Sequence, residues 1–284
     1  MEKLHISVLC DEVLFFLHGR HLCSVYDGTC GGGGHSKAIL EAHPEIERFI
    51  AGDVDPYARE RAQVVLEPFN VEFYDRNFSE PPNGEFDAIL LDVGVSSFQL
   101  DISERGFGFS QEGPLDMRMN PQQGESAADI INSASKEELA KIFWEYGEER
   151  YSRRIAEKIV ARRKSHPFHT TQDLVDCILS LIPRRGKIHP ATRVFQALRI
   201  AVNHELTALQ TAIPKLAERL TAGGRLLIIT FHSLEDRIVK QEFKALAKEE
   251  EFLLVTKKPV APSLEECRKN RRARSAKLRV LERV

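Results

Sequence analysis

Residues 22–36 read LCSVYDGTCGGGGHS, and this stretch decides the fold. Its first five residues form a short, largely apolar run typical of a buried strand, and a helical pattern begins near His35 and Ser36. The turn between them has glycine at position 28 and at positions 31–34. Because a glycine-rich turn lets the backbone approach a ligand closely, a strand, this turn and a helix predict a ligand-binding βα unit.

Further apolar runs alternate with helical patterns after this unit. Such alternation predicts a parallel sheet with helices on its faces. The last two runs are expected to pair at one edge of the sheet. The predicted fold class is α/β, with a Rossmann-like, doubly wound sheet of seven strands. The predicted strands are 22–26, 48–52, 71–74, 86–91, 225–231, 252–256 and 277–281.

The strand pattern is interrupted in the middle of the chain. Glycine, proline and methionine punctuate residues 106–124, and helical periodicity then runs from Ser126 to about Leu181 without a strand. One helix is predicted at about 191–220, with Gly223-Gly224 as its stop signal. We therefore expect an inserted helical domain. The predicted boundaries are 1–112 and 199–284 for the two parts of the sheet domain and 113–198 for the insertion.

Composition places the chain among ordinary globular proteins. Its 284 residues are 42% hydrophobic and 29% charged, and a net charge of -2 gives no general attraction to nucleic acid. The five cysteines are scattered and never spaced as CxxC, so neither a metal site nor a disulfide framework is predicted. No signal peptide, lipidation motif or membrane-spanning run is apparent, and we expect a cytoplasmic protein without membrane contact.

Acidic and polar residues follow the predicted strands at their carboxyl ends, where open parallel sheets bind ligands. The acids are Asp27, Asp53 and Asp92, and Asn77-Phe78 follows the third strand. Asp53 comes about 25 positions after the start of the glycine turn, where an acid can accept hydrogen bonds from both hydroxyls of a ribose. The placement predicts an adenosine cofactor, and the alternative is a purely structural turn.

Charge distinguishes two common adenosine cofactors, NAD, which contains a pyrophosphate, and S-adenosylmethionine, which contains a sulfonium. A pyrophosphate requires unopposed backbone N–H groups, and Asp27 and Asp92 would repel it, whereas a sulfonium with an ammonium group has the opposite preference. The GxGxxG fingerprint is also incomplete, because Ser36 stands where its third glycine would follow Gly31 and Gly33. The residues therefore favour S-adenosylmethionine, and an NAD-dependent oxidoreductase is the alternative.

Longer motifs resemble the RsmH (MraW) family of 16S rRNA cytosine-N4 methyltransferases, and they cover essentially the whole chain. They are HISVL at 5–9, DGT at 27–29, GGHS at 33–36, LDVGVSS at 91–97, QLD at 99–101, RGF at 105–107, GPLDMRM at 113–119, YGEER at 146–150, ATR at 191–193, FQA at 195–197, RI at 199–200, FHSLEDR at 231–237 and RSAKLR at 274–279. Val93, Phe98 and Gly108 depart from the family pattern, and the segment at 244–266 is shorter than in many members.

The resemblance implies a Rossmann-like methyltransferase domain, interrupted by a helical substrate domain, that uses S-adenosylmethionine. It implies a cytosine in the decoding centre of 16S rRNA, in or near the P site, as the target. On the residues alone, His35 is more typical of a helix cap, Phe78 of a core and Gln99 of a surface amide than of ligand contacts. The cofactor contacts implied by matching positions are Gly33, Gly34, His35, Asp53, Phe78, Asp92 and Gln99.

The sequence leaves the catalytic residue open. Amino-methyltransferases of DNA commonly use a (Asp/Asn/Ser)-Pro-Pro-aromatic turn after the fourth strand, but residues 92–97 read DVGVSS here. Because the N4 amine of cytosine is a poor nucleophile, positioning and electrostatics should dominate catalysis. We predict acceptors at Asp116, or at His232 with Ser233. The alternatives are that Asp116 pairs with Arg118 and that His232 is structural.

Basic residues cluster near the end of the sequence. Residues 268–283 hold eight Lys or Arg and one Glu, so Arg271, Arg272 and Arg274 are predicted to contact phosphates. Chemistry on a base requires an unpaired or extruded nucleotide. Two further basic clusters that could contact RNA are Arg162-Arg163-Lys164 and Arg184-Arg185 with Lys187.

Two other interpretations of these residues stay open. A non-catalytic RNA-binding module would need only the basic clusters, but it would leave the glycine turn and Asp53 unexplained. A methyltransferase of DNA would keep the chemistry and change the substrate. The partner that we expect is 16S rRNA within the small ribosomal subunit, and a homodimer is compatible with the sequence.

Overall fold

The computed structural model describes residues 7–184 and 189–284. These residues form two compact units. The sheet unit runs to Gly94 and resumes from Leu206 to Val284, and the helical unit is Val95–Glu205. The insertion predicted at 113–198 lies within the helical unit, which also takes in residues 95–112 and 199–205.

Helices and strands alternate in the sheet unit. The helical unit lies between the two parts of the sheet unit in the sequence, and its described elements from α4 to α9 are helices. In chain order the elements are α1 (Cys10–Leu17), β1 (Ser24–Asp27), α2 (Gly34–Ala42), β2 (Arg48–Gly52), α3 (Pro56–Leu66), β3 (Val71–Tyr74), β4 (Phe86–Asp92), α4 (Ser97–Asp101), α5 (Ala127–Ser133), α6 (Lys136–Glu145), α7 (Ser152–Arg163), α8 (Thr171–Leu179), α9 (Thr192–Asn203), α10 (Glu205–Ala217), β5 (Leu220–Thr230), α11 (Ser233–Leu246), β6 (Phe252–Leu254), α12 (Leu264–Lys269) and β7 (Lys277–Arg283). Short 3₁₀ helices occur at Ser103–Arg105 and Arg271–Ser275.

The seven strands form one sheet in the order β3-β2-β1-β4-β5-β7-β6. β1 to β5 are parallel, whereas β7 runs antiparallel to both β5 and β6. The seven-stranded α/β fold and the antiparallel pairing of the last two strands are therefore confirmed. The strand order reverses between β1 and β4, and in open α/β sheets ligands bind at the carboxyl ends of the strands beside such a point.

Side chains alternate between the two faces of the sheet along each strand, and helices bury both faces. Helices α1, α2 and α3 pack on one face, and α10 and α11 pack on the other. Burying each Val, Leu or Ile side chain stabilises the fold by about 1.5–3 kcal/mol. One face buries Val25, Phe49, Ala51, Ala88, Leu90, Leu227 and Ile229, and the opposite face buries Tyr26, Ile50, Ile89, Leu91, Leu226 and Ile228.

The single helix predicted at 191–220 is wrong. Two helices, α9 and α10, occupy this stretch, and His204 between them has a left-handed backbone with φ of 51°. The next strand begins at Leu220 rather than at Arg225, so Gly223-Gly224 lies inside β5 instead of ending a helix. A side chain at Gly224 would approach the Phe86 carbonyl oxygen to 2.9 Å, which explains the glycine in this strand.

The helical unit has its own core, built around buried side chains of α6, α7 and α9 such as Phe143, Ile159 and Leu198. Capping boxes begin α5 at Ser126 and α6 at Ser135, each with an acid three residues later. Helices of this unit are thus marked in the sequence by both periodicity and start signals. Within residues 7–184 and 189–284, no helix has the length and apolar character required to cross a membrane.

Candidate active site

The glycine turn after β1 is fixed by backbone hydrogen bonds at the carboxyl edge of the sheet. The Gly28 N–H donates to the Leu90 carbonyl at 2.9 Å, and the Cys30 N–H donates to the Gly52 carbonyl at 2.8 Å. Gly31 has a φ of +51°, and a Cβ built on it would meet no atom closer than 3.9 Å. The turn therefore has open space at Gly31 in which a ligand could approach the backbone.

Gly33 and Gly34 stand at the start of α2. Gly33 is the N-cap with a φ of +82°, and a Cβ there would lie 3.3 Å from side-chain atoms of Val65 and Leu66. A Cβ at Gly34 would collide with the Ser7 hydroxyl. Gly33 is therefore favoured by its backbone conformation and Gly34 by its contact with Ser7, whether or not a cofactor touches them.

Asp27 ends β1 and organises the turn beneath it. Its fully buried carboxylate accepts hydrogen bonds from the Thr29 N–H at 3.1 Å and from the Ser36 hydroxyl at 2.6 Å. Burial raises the pKa of Asp27, and the Ser36 hydrogen bond acts in the opposite direction. Asp27 thus binds the two ends of the glycine turn together.

Asp53 follows β2 and faces the same turn. Its Oδ2 accepts a hydrogen bond from the Gly31 N–H at 2.9 Å, and its Oδ1 accepts one from the Asp55 N–H at 2.9 Å. Burial raises the pKa of Asp53 to about 6. Asp55 is the N-cap of α3, and its side chain accepts a hydrogen bond from the Tyr57 N–H at 3.0 Å.

Asp92 ends β4, and no positive group among the described residues compensates its carboxylate. Its Oδ1 is buried without a hydrogen-bond partner among the described residues, and its Oδ2 lies 3.6 Å from His35 Nδ1. Burial, followed by the nearby Glu235 carboxylate, raises the pKa of Asp92 to about 7. The backbone N–H of Asp92 donates to the Thr29 hydroxyl oxygen at 2.5 Å, which fixes this carboxylate beside the glycine turn.

His35 provides no positive charge to this carboxylate. Its Nε2 lies 2.9 Å from the Val8 carbonyl oxygen, which can only accept, so Nε2 carries the ring proton. Burial lowers the pKa of His35, and the neutral ring then presents the Nδ1 lone pair to Asp92. Two acceptors face each other, so a cation or a proton is required between or beside them.

The structure brings six of the seven predicted cofactor residues to one edge of the sheet unit. Phe78 is half-buried against the core between the sheet and helices α10 and α11, and its Cβ lies 3.2 Å from the Cβ position of Gly28. The seventh, Gln99, lies on α4 in the helical unit, where its Oε1 accepts the Ser96 N–H at 2.9 Å. The six are Gly33, Gly34, His35, Asp53, Phe78 and Asp92.

Sequence reasoning missed Thr29 and Glu235 as parts of this edge. Thr29 links Asp27 to Asp92 through its N–H and its hydroxyl. Glu235 is 2% exposed, and its Oε2 accepts the N–H groups of Phe231 at 2.7 Å and His232 at 3.1 Å. The spacing of Glu235 three residues after a strand-ending turn is the capping-box spacing, and it could have identified this residue.

His232 is the N-cap of α11. Its Nδ1 accepts a hydrogen bond from the Glu235 N–H at 3.3 Å, so the neutral ring carries its proton on Nε2. That Nε2 lies 2.9 Å from Glu235 Oε1 without the geometry of a hydrogen bond. Because neither nitrogen of the neutral ring has a free lone pair, the structural alternative for His232 is supported.

Asp116 lies in the helical unit and is paired with Arg118. Arg118 Nε is 2.9 Å from Asp116 Oδ1, and its second guanidinium nitrogen, Nη2, is 2.7 Å from Oδ2. Partial burial acts to raise the pKa of Asp116, but the hydrogen bonds and charge of Arg118 outweigh burial, and the pKa is lowered. The alternative of an Asp116–Arg118 pair is therefore what the structure contains.

Among the basic residues near the end of the sequence, some are exposed and others are paired. Arg271 and Arg274 are exposed in the 3₁₀ helix, and Arg272 is half-buried. Lys277 and Arg279 form ion pairs with Asp236, at 2.9 and 2.7 Å. The basic segment is therefore not a uniform charged surface: Arg271 and Arg274 are exposed, as are Arg268 and Lys269 before them, whereas Lys277 and Arg279 are paired.

The predicted basic cluster at 162–164 is also largely engaged in structure. Arg162 pairs with Asp173 at 3.0 Å, and Arg163 donates to the Ile131 carbonyl at 2.7 Å. Lys164 is exposed, as is Arg184 of the third cluster. Residues 185–188, which include the other two basic residues of that third cluster, lie outside the described residues.

Comparisons with known proteins agree over the length of the chain. The curated relative named "Ribosomal RNA small subunit methyltransferase H" from Cyanothece sp. is 49% identical over 288 residues, which cover 100% of this chain and 96% of that protein. The protein of the same name from Heliobacterium mobile is 47% identical over 312 residues and is covered completely, as is this chain. The one from Acaryochloris marina is 50% identical over 288 residues, with coverages of 99% and 94%.

Solved structures give the fold. A crystal structure from Clostridium thermocellum, described as that of a candidate rRNA methylase, superposes with a TM-score of 0.50 at 11% identity and covers 99% of this chain. The match to the MraW methylase family extends over residues 2–284. The chain therefore belongs to the MraW methylase family, and it is an S-adenosylmethionine-dependent methyltransferase with a Rossmann-like fold.

Proposed function

We propose that this enzyme transfers the methyl group of S-adenosylmethionine to N4 of a cytosine in the decoding centre of 16S rRNA, in or near the P site. The observation that carries the proposal is the buried, uncompensated carboxylate of Asp92 beside the glycine turn. Full-length relatives named for methylation of small-subunit rRNA support the substrate. The enzyme would then act in the cytoplasm, on rRNA within the small ribosomal subunit.

The residues at the carboxyl edge fit S-adenosylmethionine. The unpartnered Asp92 oxygen and the neutral His35 leave a buried negative site for a positively charged group, whereas a pyrophosphate would be repelled there. Asp53 would accept hydrogen bonds from the ribose hydroxyls, since each of its oxygens retains a second lone pair. When bound, the cofactor supplies an electrophilic methyl group.

The remaining proposed contacts complete this site. The backbone at Gly33 and Gly34 would approach the cofactor at the start of α2, and Phe78 would pack against its adenine ring. Gln99, whose own Oε1 already accepts a backbone N–H, would use its amide nitrogen. These roles rest on the resemblance of their positions to those of the family.

We propose that Asp116 orients the target amine rather than acting as a strong base, and that His232 is a positioning residue. The pairing of Asp116 with Arg118 keeps its carboxylate ionised, and each oxygen retains acceptor capacity toward an amine hydrogen. His232 would orient the active-site rim through its capping contact with Glu235. An exocyclic amine that has become positively charged is strongly acidic, so a weak acceptor or water is sufficient to take its proton.

RNA contacts are proposed for Arg271, Arg272 and Arg274, with Lys164 and Arg184 as further contacts in the helical unit. Exposed cations neutralise phosphates and make binding depend on salt. The target cytosine would be unpaired or extruded, since its N4 lies at the base-pairing edge.

The test is methyl transfer from labelled S-adenosylmethionine to small subunits purified from a strain that lacks this enzyme, followed by nucleoside analysis of the rRNA. Label in N4-methylcytidine supports the reaction, and mapping of the labelled rRNA fragment to the decoding centre supports the position. Label in another nucleoside would contradict the proposed target, and label on naked RNA but not on subunits would contradict the assembled subunit as substrate. Stabilisation of the protein by NAD but not by S-adenosylhomocysteine would contradict the cofactor.

A further inference from the structure

A carboxylate near the end of the chain bonds to the backbone near its beginning. Glu266 Oε1 accepts a hydrogen bond from the Leu9 N–H at 2.8 Å, and both residues belong to the sheet unit. Helix α12 holds Glu266 in place, since the Glu266 N–H donates to the Ser263 hydroxyl at 3.1 Å and its carbonyl accepts from the Asn270 N–H at 2.7 Å. The carboxylate is therefore an acceptor whose position is set by α12.

Leu9 depends on this acceptor. It is fully buried, and it is the N-cap of α1 with a left-handed backbone, at a φ of 57°. A leucine in this conformation is strained, and such strain persists only where the surrounding structure holds the residue. A buried N–H that loses its acceptor is also costly. Removal of the Glu266 carboxylate should therefore release the backbone around Leu9.

The residue before Leu9 contacts the cofactor edge of the sheet. The Val8 carbonyl oxygen lies 2.9 Å from His35 Nε2, and both residues are buried. Because a carbonyl oxygen can only accept, this contact keeps the ring proton on Nε2 and leaves the lone pair on Nδ1. His35 Nδ1 lies 3.6 Å from Asp92 Oδ2. The position of the Val8 carbonyl thus decides which form of His35 faces Asp92.

The other neutral form of His35 would compensate Asp92 in the absence of a ligand. With its proton on Nδ1, the ring could donate to the Asp92 carboxylate, which would then attract a cation less strongly. The hydrogen bond made by one ring nitrogen of a histidine determines the protonation of the other. The Val8 carbonyl therefore keeps Asp92 available for a positively charged group.

We propose that Glu266 is a positioning residue for cofactor binding: it holds Leu9 and Val8 so that His35 keeps its proton away from Asp92. This inference rests on the proposed role of Asp92 in binding the positive group of S-adenosylmethionine. The role assigned to Glu266 requires no contact with the cofactor, because it acts through the backbone at residues 8 and 9 and through His35.

The acceptor oxygen of Glu266, rather than its charge, is what this role uses. Burial raises the pKa of Glu12 on α1, and the charge of Glu266 raises it further, so the two acids repel each other. A neutral side chain that keeps an oxygen at the same place should therefore serve equally well. Glutamine at position 266 is such a side chain.

The test compares Glu266→Ala with Glu266→Gln and with the matched control Glu265→Ala, which removes the neighbouring exposed acid that pairs with Lys269. Calorimetry measures affinity for S-adenosylmethionine, and long-range ¹H–¹⁵N NMR spectra, assigned with His35→Gln, show which nitrogen of His35 carries the proton. Glu266→Ala should weaken binding about five- to tenfold and move the proton toward Nδ1. Glu266→Gln and Glu265→Ala should match the wild type in both measurements.

Equal affinity of a folded Glu266→Ala protein and the wild type would overturn the inference, as would a ligand-free wild type with its His35 proton on Nδ1. Weaker binding with an unchanged His35 would make Glu266 merely structural. Should Glu266→Ala fail to fold, Glu266→Asp, whose carboxylate is one methylene shorter, must show both changes. Unchanged affinity in Asp92→Asn would refute the proposed site and the inference together, whereas a loss in Asp92→Asn without one in Glu266→Ala would refute the inference alone.

Discussion

Two carboxylates proposed for function, Asp92 of the sheet unit and Asp116 of the helical unit, have opposite surroundings. Both oxygens of Asp116 bond to Arg118, and its pKa is lowered. Asp92 faces a neutral histidine, has an unpartnered oxygen, and has its pKa raised to about 7. A compensated carboxylate stabilises the structure around it, whereas an uncompensated one costs free energy until a ligand brings positive charge.

The substitution Asp92→Asn should produce the largest effect. It removes the charge that we expect to bind the cofactor's positive group, so affinity for S-adenosylmethionine should fall about 100-fold, as for truncation of one member of a buried ion pair. The ligand-free protein should become more stable, because a buried, unpaired acid has been removed. Calorimetric titration measures the change in affinity, and thermal unfolding measures the change in stability. Equal affinity of the wild type and Asp92→Asn for S-adenosylmethionine would contradict the proposed role of Asp92.

The matched substitution Asp116→Asn should affect catalysis rather than cofactor affinity. Loss of the paired charge should lower stability by about 1 kcal/mol, a modest value because the pair is partly exposed. The single-turnover rate of methyl transfer should fall about tenfold or more if Asp116 orients the amine. A wild-type rate in single-turnover assays would restrict Asp116 to its structural pairing with Arg118.

Binding of the cofactor should depend on pH through Asp92. With a pKa of about 7 in the ligand-free protein, the carboxylate is mostly protonated at pH 6, and affinity there should be about eightfold weaker than at pH 7.5. Because this folded-state pKa is raised, the free energy of unfolding contributed by Asp92 decreases as pH rises from about 4 to 7. Asp92→Asn should abolish the pH dependence of binding, and an unchanged dependence would assign it to another group.

The smallest effect concerns cations, which can be divided into unpaired and paired groups in the same way as the two carboxylates. Arg271 and Arg274 are exposed, whereas Lys277 and Arg279 pair with Asp236. Replacing both exposed arginines by alanine should reduce the slope of log affinity for RNA against log salt by about 1.5 to 2, without loss of stability. Filter binding at several salt concentrations measures the slope, and an unchanged slope would exclude this pair from the RNA interface.

Much of the sheet and its ligand edge could be predicted from the sequence, because strand runs, the glycine turn and the acids at the strand ends are local signals. The break at His204 could not, since helical periodicity continues across it and a left-handed histidine has no sequence marker. The prediction that Gly223-Gly224 ends a helix was wrong because pairs of glycines occur in two places. They follow helices, and they also occur inside strands where another part of the backbone comes close.

The site was predicted less completely than the fold. Acids and glycines could be placed at one edge by strand order, but partners that are distant in sequence decide their charge. Nothing in the sequence indicates that Asp92 faces a neutral His35 or that Arg162 pairs with Asp173. Histidine is also an unusual N-cap, so the role of His232 required the structure.

The neighbouring strands β4 and β5 are separated in sequence by the whole helical unit. Pairing them from an unfolded chain means closing a very long loop, and such non-local contacts slow folding. The helices of the insertion are linked by short, local contacts and are expected to form first, which shortens the effective loop. Until β5 arrives, β4 is an exposed hydrophobic edge that can pair with other chains, so we expect the yield of refolding to decrease when the insertion is destabilised.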